Sequence, residues 1–221
     1  MVPGKLLHPS KYAAFGILLT VLTLSGLLGE LNFKQANSSP PLQRLYHSEN
    51  LSDGDLVFRK GRDMVSRLVL TQGQSPRFSH VGVIIKNGEQ ASVVHALPEG
   101  TTDMAGVQLE SLSSFSSFEN ATDIVFYRYK GINNALREKI RRFALKQIGK
   151  PFDDKFLLSS DDALYCTELV LKAFQSAGVN LTSGLQSVKI MLVDEEVIPP
   201  DHLRQSDYFL PVIVQEILEQ G

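Results

Sequence analysis

The chain has 221 residues, 43% of them hydrophobic and 21% charged, enough for one medium domain with a sizeable core plus an appendage. Its formal net charge is −2 and it has no basic run, which argues against nucleic acid as a partner. A single cysteine excludes an internal disulfide and says little about compartment.

At the N-terminus, Lys5, His8 and Lys11 precede Ala13–Gly29, an apolar run without a charge. A basic flank before such a run reads as a signal peptide or an uncleaved signal anchor within residues 1–33, expected as an apolar helix. Its length is at the short edge for a spanning helix. Thr23 and Ser25 are the candidates for the small residues of a cleavage site, and no cysteine follows closely enough for a lipoprotein. Either reading places the remainder in the cell envelope, held at or released from a membrane by this one segment. Residues 34–50, with Ser38-Ser39-Pro40-Pro41, are polar and aperiodic and read as a linker.

The domain is expected over residues 51–221. Asp53-Gly54-Asp55 reads as a turn and Leu56–Arg59 as a short strand. Met64–Leu70 is mostly helical in pattern and Gln72–Arg77 a polar loop. Phe78–Ile85 and Ala91–Leu97 read as two strands of a hairpin turning at Lys86–Glu89, with His80 and His95 both on it. Val107–Leu109 and Asp123–Tyr129 are further strands, and Ser111–Phe118 between them is a loop or short helix. Asn134–Ile148 is an amphipathic helix, with Leu136, Ile140, Phe143, Ala144, Gln147 and Ile148 on one face, Gly149 suited to its C-terminal cap and Pro151 barring continuation. Val188–Val193 and Tyr208–Val214 are read as closing strands around a turn at Pro199-Pro200-Asp201, and His202 as a surface-turn residue. Strands in the middle with helices before and after make an α+β domain.

Cys166, the lone cysteine, stands where the polar loop Ser159–Asp162 gives way to a helical pattern of Leu169, Val170, Ala173 and Phe174, ended by Gly178. A thiol in the first turn of a helix faces the positive end of the macrodipole, which favours thiolate, the nucleophilic form. Cysteine hydrolysis also needs a base to hold the proton and return it to the leaving group, and a polar group to orient that base. The domain offers three histidines, His80, His95 and His202, two of them on neighbouring strands. No close ligand pair such as H-x-x-x-H or C-x-x-C accompanies them, so a metal site is not the reading they favour. Glu168 is read as N-terminal helix electrostatics rather than as a catalytic acid.

Asp53-Gly54-Asp55-Leu56-Val57-Phe58, Ser79-His80-Val81-Gly82-Val83-Ile84 and Val94-His95-Ala96 resemble successive signatures of the NlpC-type papain-like cysteine hydrolases. Tyr165-Cys166-Thr167-Glu168-Leu169-Val170 is similar to that superfamily's nucleophile motif. The cysteine helix follows the histidine strands instead of preceding them, an order similar to the circularly permuted branch, the YiiX/YebB-like proteins, and shared with lecithin-retinol acyltransferase-like enzymes. The resemblance covers roughly residues 51 to 215. It implies a permuted papain-like fold, an antiparallel sheet packed against helices. It further implies Cys166 as nucleophile, His80 as general base and acid, and His95 as the residue orienting His80. The backbone N–H of Cys166 would help hold the oxyanion, and Tyr165 and Asp55 are further substrate or oxyanion candidates. Tyr165 and Glu168 depart from the Asp and Gly of the unpermuted cell-wall enzymes. The function implied is an envelope-located amidase or peptidase that needs no metal or organic cofactor and acts through an acyl-thiol intermediate. Its first substrate would be a peptidoglycan peptide. An acyl lipid is the alternative substrate, and a non-catalytic envelope binding module the alternative role.

Overall fold

A computed structural model of the chain describes residues 42–62, 77–98, 105–159, 161–189 and 196–220. The chain divides into two compact units, Met1–Ser39 and Pro40–Gly221, and the described residues all belong to the second. The apolar run Ala13–Gly29 and the helical pattern at Met64–Leu70 lie outside the described residues. Among those that are described, no helix is long and apolar enough to cross a membrane.

The strands are β1 (Leu42–Tyr46), β2 (Leu56–Gly61), β3 (His80–Asn87), β4 (Gln90–Leu97), β5 (Gly106–Ser111), β6 (Ala121–Tyr129), β7 (Val188–Lys189), β8 (Glu196–Val197), β9 (Phe209–Val212) and β10 (Glu216–Gln220). The helices are α1 (Leu112–Phe115), α2 (Asn134–Lys146), α3 (Cys166–Ser176) and α4 (Pro200–Gln205). Six strands form one antiparallel sheet in the order β5-β4-β3-β2-β6-β9. The α+β reading with an antiparallel sheet against helices therefore holds for the described domain.

Side-chain alternation sorts the sheet into two faces. Leu56 and Phe58 of β2, Val81, Val83 and Ile85 of β3, and Val94 and Ala96 of β4 join the main core with Ile140 and Ala144 of α2 and Leu169, Val170, Ala173 and Phe174 of α3. The intervening residues Val57, Ile84 and Val93 belong to a second cluster with Leu112 and Phe115 of α1. Most of these side chains are fully buried, and each Val, Leu, Ile or Phe among them contributes about 1.5–3 kcal/mol by leaving water. Both faces of the central strands are covered, which is why Val81–Ile85 reads as an unbroken apolar run rather than as an alternation.

The structure departs from the sequence reading in three places. Residues 42–50, taken as linker, are drawn into the fold: β1 pairs antiparallel with β10 from Leu42↔Gln220 to Tyr46↔Glu216, and Ser48–Asn50 is a 3-10 turn. The Pro199-Pro200-Asp201 turn opens α4, because proline at the first helical position needs no N–H partner there. His202 consequently sits on a helix, with Nδ1 2.7 Å from the Gln186 carbonyl oxygen. The segment read as a strand from Val188 is described as β7 only at Val188–Lys189; residues 190–195 lie outside the described set.

Gly82 shows how tightly β3 and β4 approach. A Cβ placed there would lie 2.3 Å from Val93 Cγ1 and 3.2 Å from His95 Cβ. Valine has little rotamer freedom with which to yield, so the side chain at position 82 must be absent. Gly82→Ala is expected to lower stability by about 1–3 kcal/mol, the usual cost of overpacking a core. The urea midpoint checks this, and an unchanged midpoint would show that the two strands separate freely there.

Candidate active site

The site is built where regular pairing between β3 and β4 stops. Their ladder runs from the hairpin turn to Val83↔Val94 and ends before His80, although β2 still pairs with β3 as far as Arg59↔His80. Beyond that point a side-chain bond joins the strands: His80 Nε2 lies 2.9 Å from His95 Nδ1, with the rings edge to face, 5.2 Å apart. Gly82 makes room for this contact. Both imidazoles are buried and lie against Phe115 of α1, with centroids 5.8 Å from it for His80 and 5.0 Å for His95.

Two charged residues flank the pair on the same face. Glu110 of β5 is opposite Val93 in register, and its Oε2 is 3.0 Å from His95 Nε2, standing off the ring N–H axis. Arg59 of β2 is buried, with its guanidinium 4.5 Å over the Phe115 ring and Nη1 donating to the Phe115 carbonyl. A polar row, Arg59–His80–His95–Glu110, thus crosses four adjacent strands. The sequence reading found its two middle members. It missed Glu110 and Arg59, for which the only available signal was a charged residue beside an apolar strand position, and nothing in one sequence gives the register that aligns them.

Burial, the Arg59 cation and His95, in that order, hold His80 well below the usual imidazole range. His95 is lowered as well, mainly by burial, with Glu110 pulling the other way. Burial alone would raise the Glu110 carboxyl, but hydrogen bonds from His95 and Ser114 and the nearby Arg59 outweigh it and leave it lowered. The row at neutral pH is therefore two neutral imidazoles between a carboxylate and a guanidinium.

Cys166 approaches the start of β3 from the other side of the sheet. It is the first residue of α3, packed on the main core as a partly buried free thiol. Its sulfur meets the backbone N–H of Val81, the residue after His80, together with the amides of Cys166 and Thr167 and the Thr167 hydroxyl, 4.0 Å away. Those donors favour thiolate, but burial outweighs them and the thiol is pushed above its ordinary value. The expectation that the helix start would favour thiolate is corrected: desolvation dominates over the dipole and the amides. Among the described residues the sulfur has no imidazole within hydrogen-bonding distance. The structure brings His80 and His95 together and places Cys166 against the adjoining backbone.

The remaining candidates have other tasks. Tyr165 caps α3, its ring buried 5.3 Å from Phe156 and its N–H donating to Glu168 Oε2 at 3.2 Å. Glu168, also buried, has Lys172 Nζ 2.9 Å away, and burial raises its carboxyl to about 7. It closes the first turn of the helix. Asp55, read as a substrate or oxyanion residue, is fully buried and grips Arg128 of β6 through two hydrogen bonds of 2.7 Å while accepting from Ser52 N–H. It fastens the turn before β2 to β6, an assignment only the fold reveals. His202 lines an open groove with Gln186, Asp201 and Tyr208 that holds none of the predicted site residues.

Residues 50–208 match the profile of a family described as permuted papain-like amidases, YaeF/YiiX, family C92. A relative in Escherichia coli strain K12, described as uncharacterized protein YiiX, is 26% identical over 125 residues, which are 56% of this chain and 57% of the relative. The chain thus matches somewhat more than half the length of that curated relative. The crystal structure of metalloprotein YiiX from Escherichia coli O157:H7 superposes with a TM-score of 0.60 at 22% identity, over 74% of this chain and 97% of that one. That likeness concerns the fold.

With the thiol pushed up by its surroundings, Cys166 alkylation in the folded chain is expected to accelerate only above the free-cysteine pKa of about 8.5. Measuring the rate of iodoacetamide reaction against pH checks this. A rate already at its plateau near neutrality would mean that an ion pair, and not a neutral thiol, is the resting state.

Proposed function

The chain belongs to the permuted papain-like amidase family, and from that premise we propose that it is a cysteine hydrolase of the cell envelope that breaks an amide bond of cell-wall peptide. The observation that carries this reading is the convergence on one strand start of a helix-initial thiol, at the Val81 amide, and a buried imidazole pair, at His80 and His95. The basic flank and apolar run of residues 5–29 support attachment to, or export across, a membrane.

In the reaction, His80 takes the Cys166 proton as the sulfur attacks the carbonyl carbon. The resulting oxyanion accepts the backbone N–H of Cys166. Collapse of that intermediate breaks the C–N bond, and His80 returns the proton to the departing amine. Water then attacks the thioester, with His80 accepting its proton, and the acid product leaves as Cys166 is reprotonated. Proton transfer requires the His80 ring and the Cys166 sulfur to close the remaining gap.

The structural neighbour is described as a metalloprotein, and a metal would need several converging donor side chains. His95 Nδ1 and His80 Nε2 are engaged with each other, and His95 Nε2 lies 3.0 Å from the Glu110 carboxylate, off the ring N–H axis. Among the described residues no three His, Cys, Asp or Glu side chains converge as a ligand set. The described residues do not fit a metal.

Incubating the full chain with peptidoglycan fragments and with acyl lipid tests the reading. Cys166→Ala should abolish release of new amino groups, and His80→Ala should cut it by about 10²-fold or more. Full activity in Cys166→Ala would end the thiol reading. Release of fatty acid without new amino groups would move the substrate to an acyl lipid. Binding without turnover would make the domain a recognition module.

A further inference from the structure

On the reading of His80 as the base for Cys166, we infer that Glu110 is a positioning residue that acts through His95 to fix which nitrogen of His80 carries the proton. Two neutral imidazoles in contact share one N–H between them, and that bond can run either way. In one arrangement His80 Nε2–H donates to His95 Nδ1 and leaves His80 Nδ1 with a lone pair. In the other His95 Nδ1–H donates to His80 Nε2, the His80 proton resides on Nδ1, and no base remains for the thiol.

Glu110 removes the degeneracy. An ionised carboxylate only accepts, so its negative charge 3.0 Å from His95 Nε2, though off the ring N–H axis, favours the hydrogen on that nitrogen. His95 Nδ1 then has the lone pair, and the 2.9 Å bond to His80 must be donated by His80 Nε2–H. His80 Nδ1 is left as the acceptor. The carboxylate is itself placed: the Ser114 hydroxyl donates to Glu110 Oε1, and Ser114 N–H is fixed by the Ser111 hydroxyl that caps α1. Every element around the pair is accounted for in this direction of the bond. Arg59 from β2 brings a donor-only cation, α1 brings the uncharged Phe115 ring, and α3 brings Cys166 to the Val81 amide.

The test reads the tautomer directly and does not depend on knowing the substrate. In the full chain with 15N-labelled histidine, two-bond 1H–15N spectra at neutral pH should show both imidazoles neutral and each protonated at Nε2. Glu110→Gln keeps the shape, but its amide N–H can donate to His95 Nε2, so the His80 signal should move to a mixture of tautomers or to Nδ1–H. Turnover should fall by about tenfold or more through kcat, with KM and the melting temperature unchanged, while Glu110→Asp should keep the parent tautomer. A parent spectrum with His80 protonated at Nδ1 would overturn the inference, whether or not the variant folds. So would an unaltered His80 tautomer in Glu110→Gln. If the tautomer shifts but Cys166→Ala still hydrolyses its substrate, the thiol reading fails and the positioning of His80 by Glu110 stands.

Discussion

The site depends on the place where backbone pairing between β3 and β4 gives way to the His80–His95 bond. A continued ladder there would satisfy the backbone within the sheet. Stopping it at Val83↔Val94 frees the amide of Val81 for the Cys166 sulfur and leaves two imidazoles to join the strands. Gly82 is the condition for this, because a side chain between the two histidines would collide with Val93 and His95. The fold thus uses one missing Cβ and a few missing ladder bonds to bring a nucleophile on the helix face and a base on the opposite face to the same strand end.

The parts of this arrangement that were legible in the sequence are the local ones. Alternation and apolar runs reveal β2 to β6 because each strand is covered on a definite face, and the change from Ser/Asp loop to Leu169–Phe174 spacing reveals α3. The hairpin turn between His80 and His95 is short, so their proximity could be read too. What escaped was non-local. Glu110 meets His95 only through the β4–β5 register, across a stretch whose length gives no register. Asp55 looked like a site residue because it sits in a family-like phrase, and its partner Arg128 is 73 positions away. β1 was read as linker because its exposed residues lack an apolar stripe and its partner, β10, lies at residues 216–220.

The helix that carries Cys166 is fastened at its first turn by groups other than the thiol. Glu168 takes the Tyr165 N–H in the first turn and Lys172 approaches its other oxygen. A carboxylate at that position satisfies an orphan donor and offsets the positive end of the macrodipole. The helix start is therefore well fastened, and burial around the sulfur is the larger influence on the thiol.

The same balance appears across the sheet and gives the neutral resting state a mechanistic sense. Arg59 and Glu110 compensate each other across the imidazole pair, so the row carries no net charge while both rings are neutral. His80 resists protonation first because it is buried and then because a proton there would place a second cation beside Arg59. In the proposed reaction that proton reaches His80 only as negative charge forms on the sulfur and then on the carbonyl oxygen, at the other side of the same strand start. The imidazolium is then paired. Such a site stabilises separated charge only when both charges are present, which is the condition for binding a transition state more tightly than the resting enzyme and substrate.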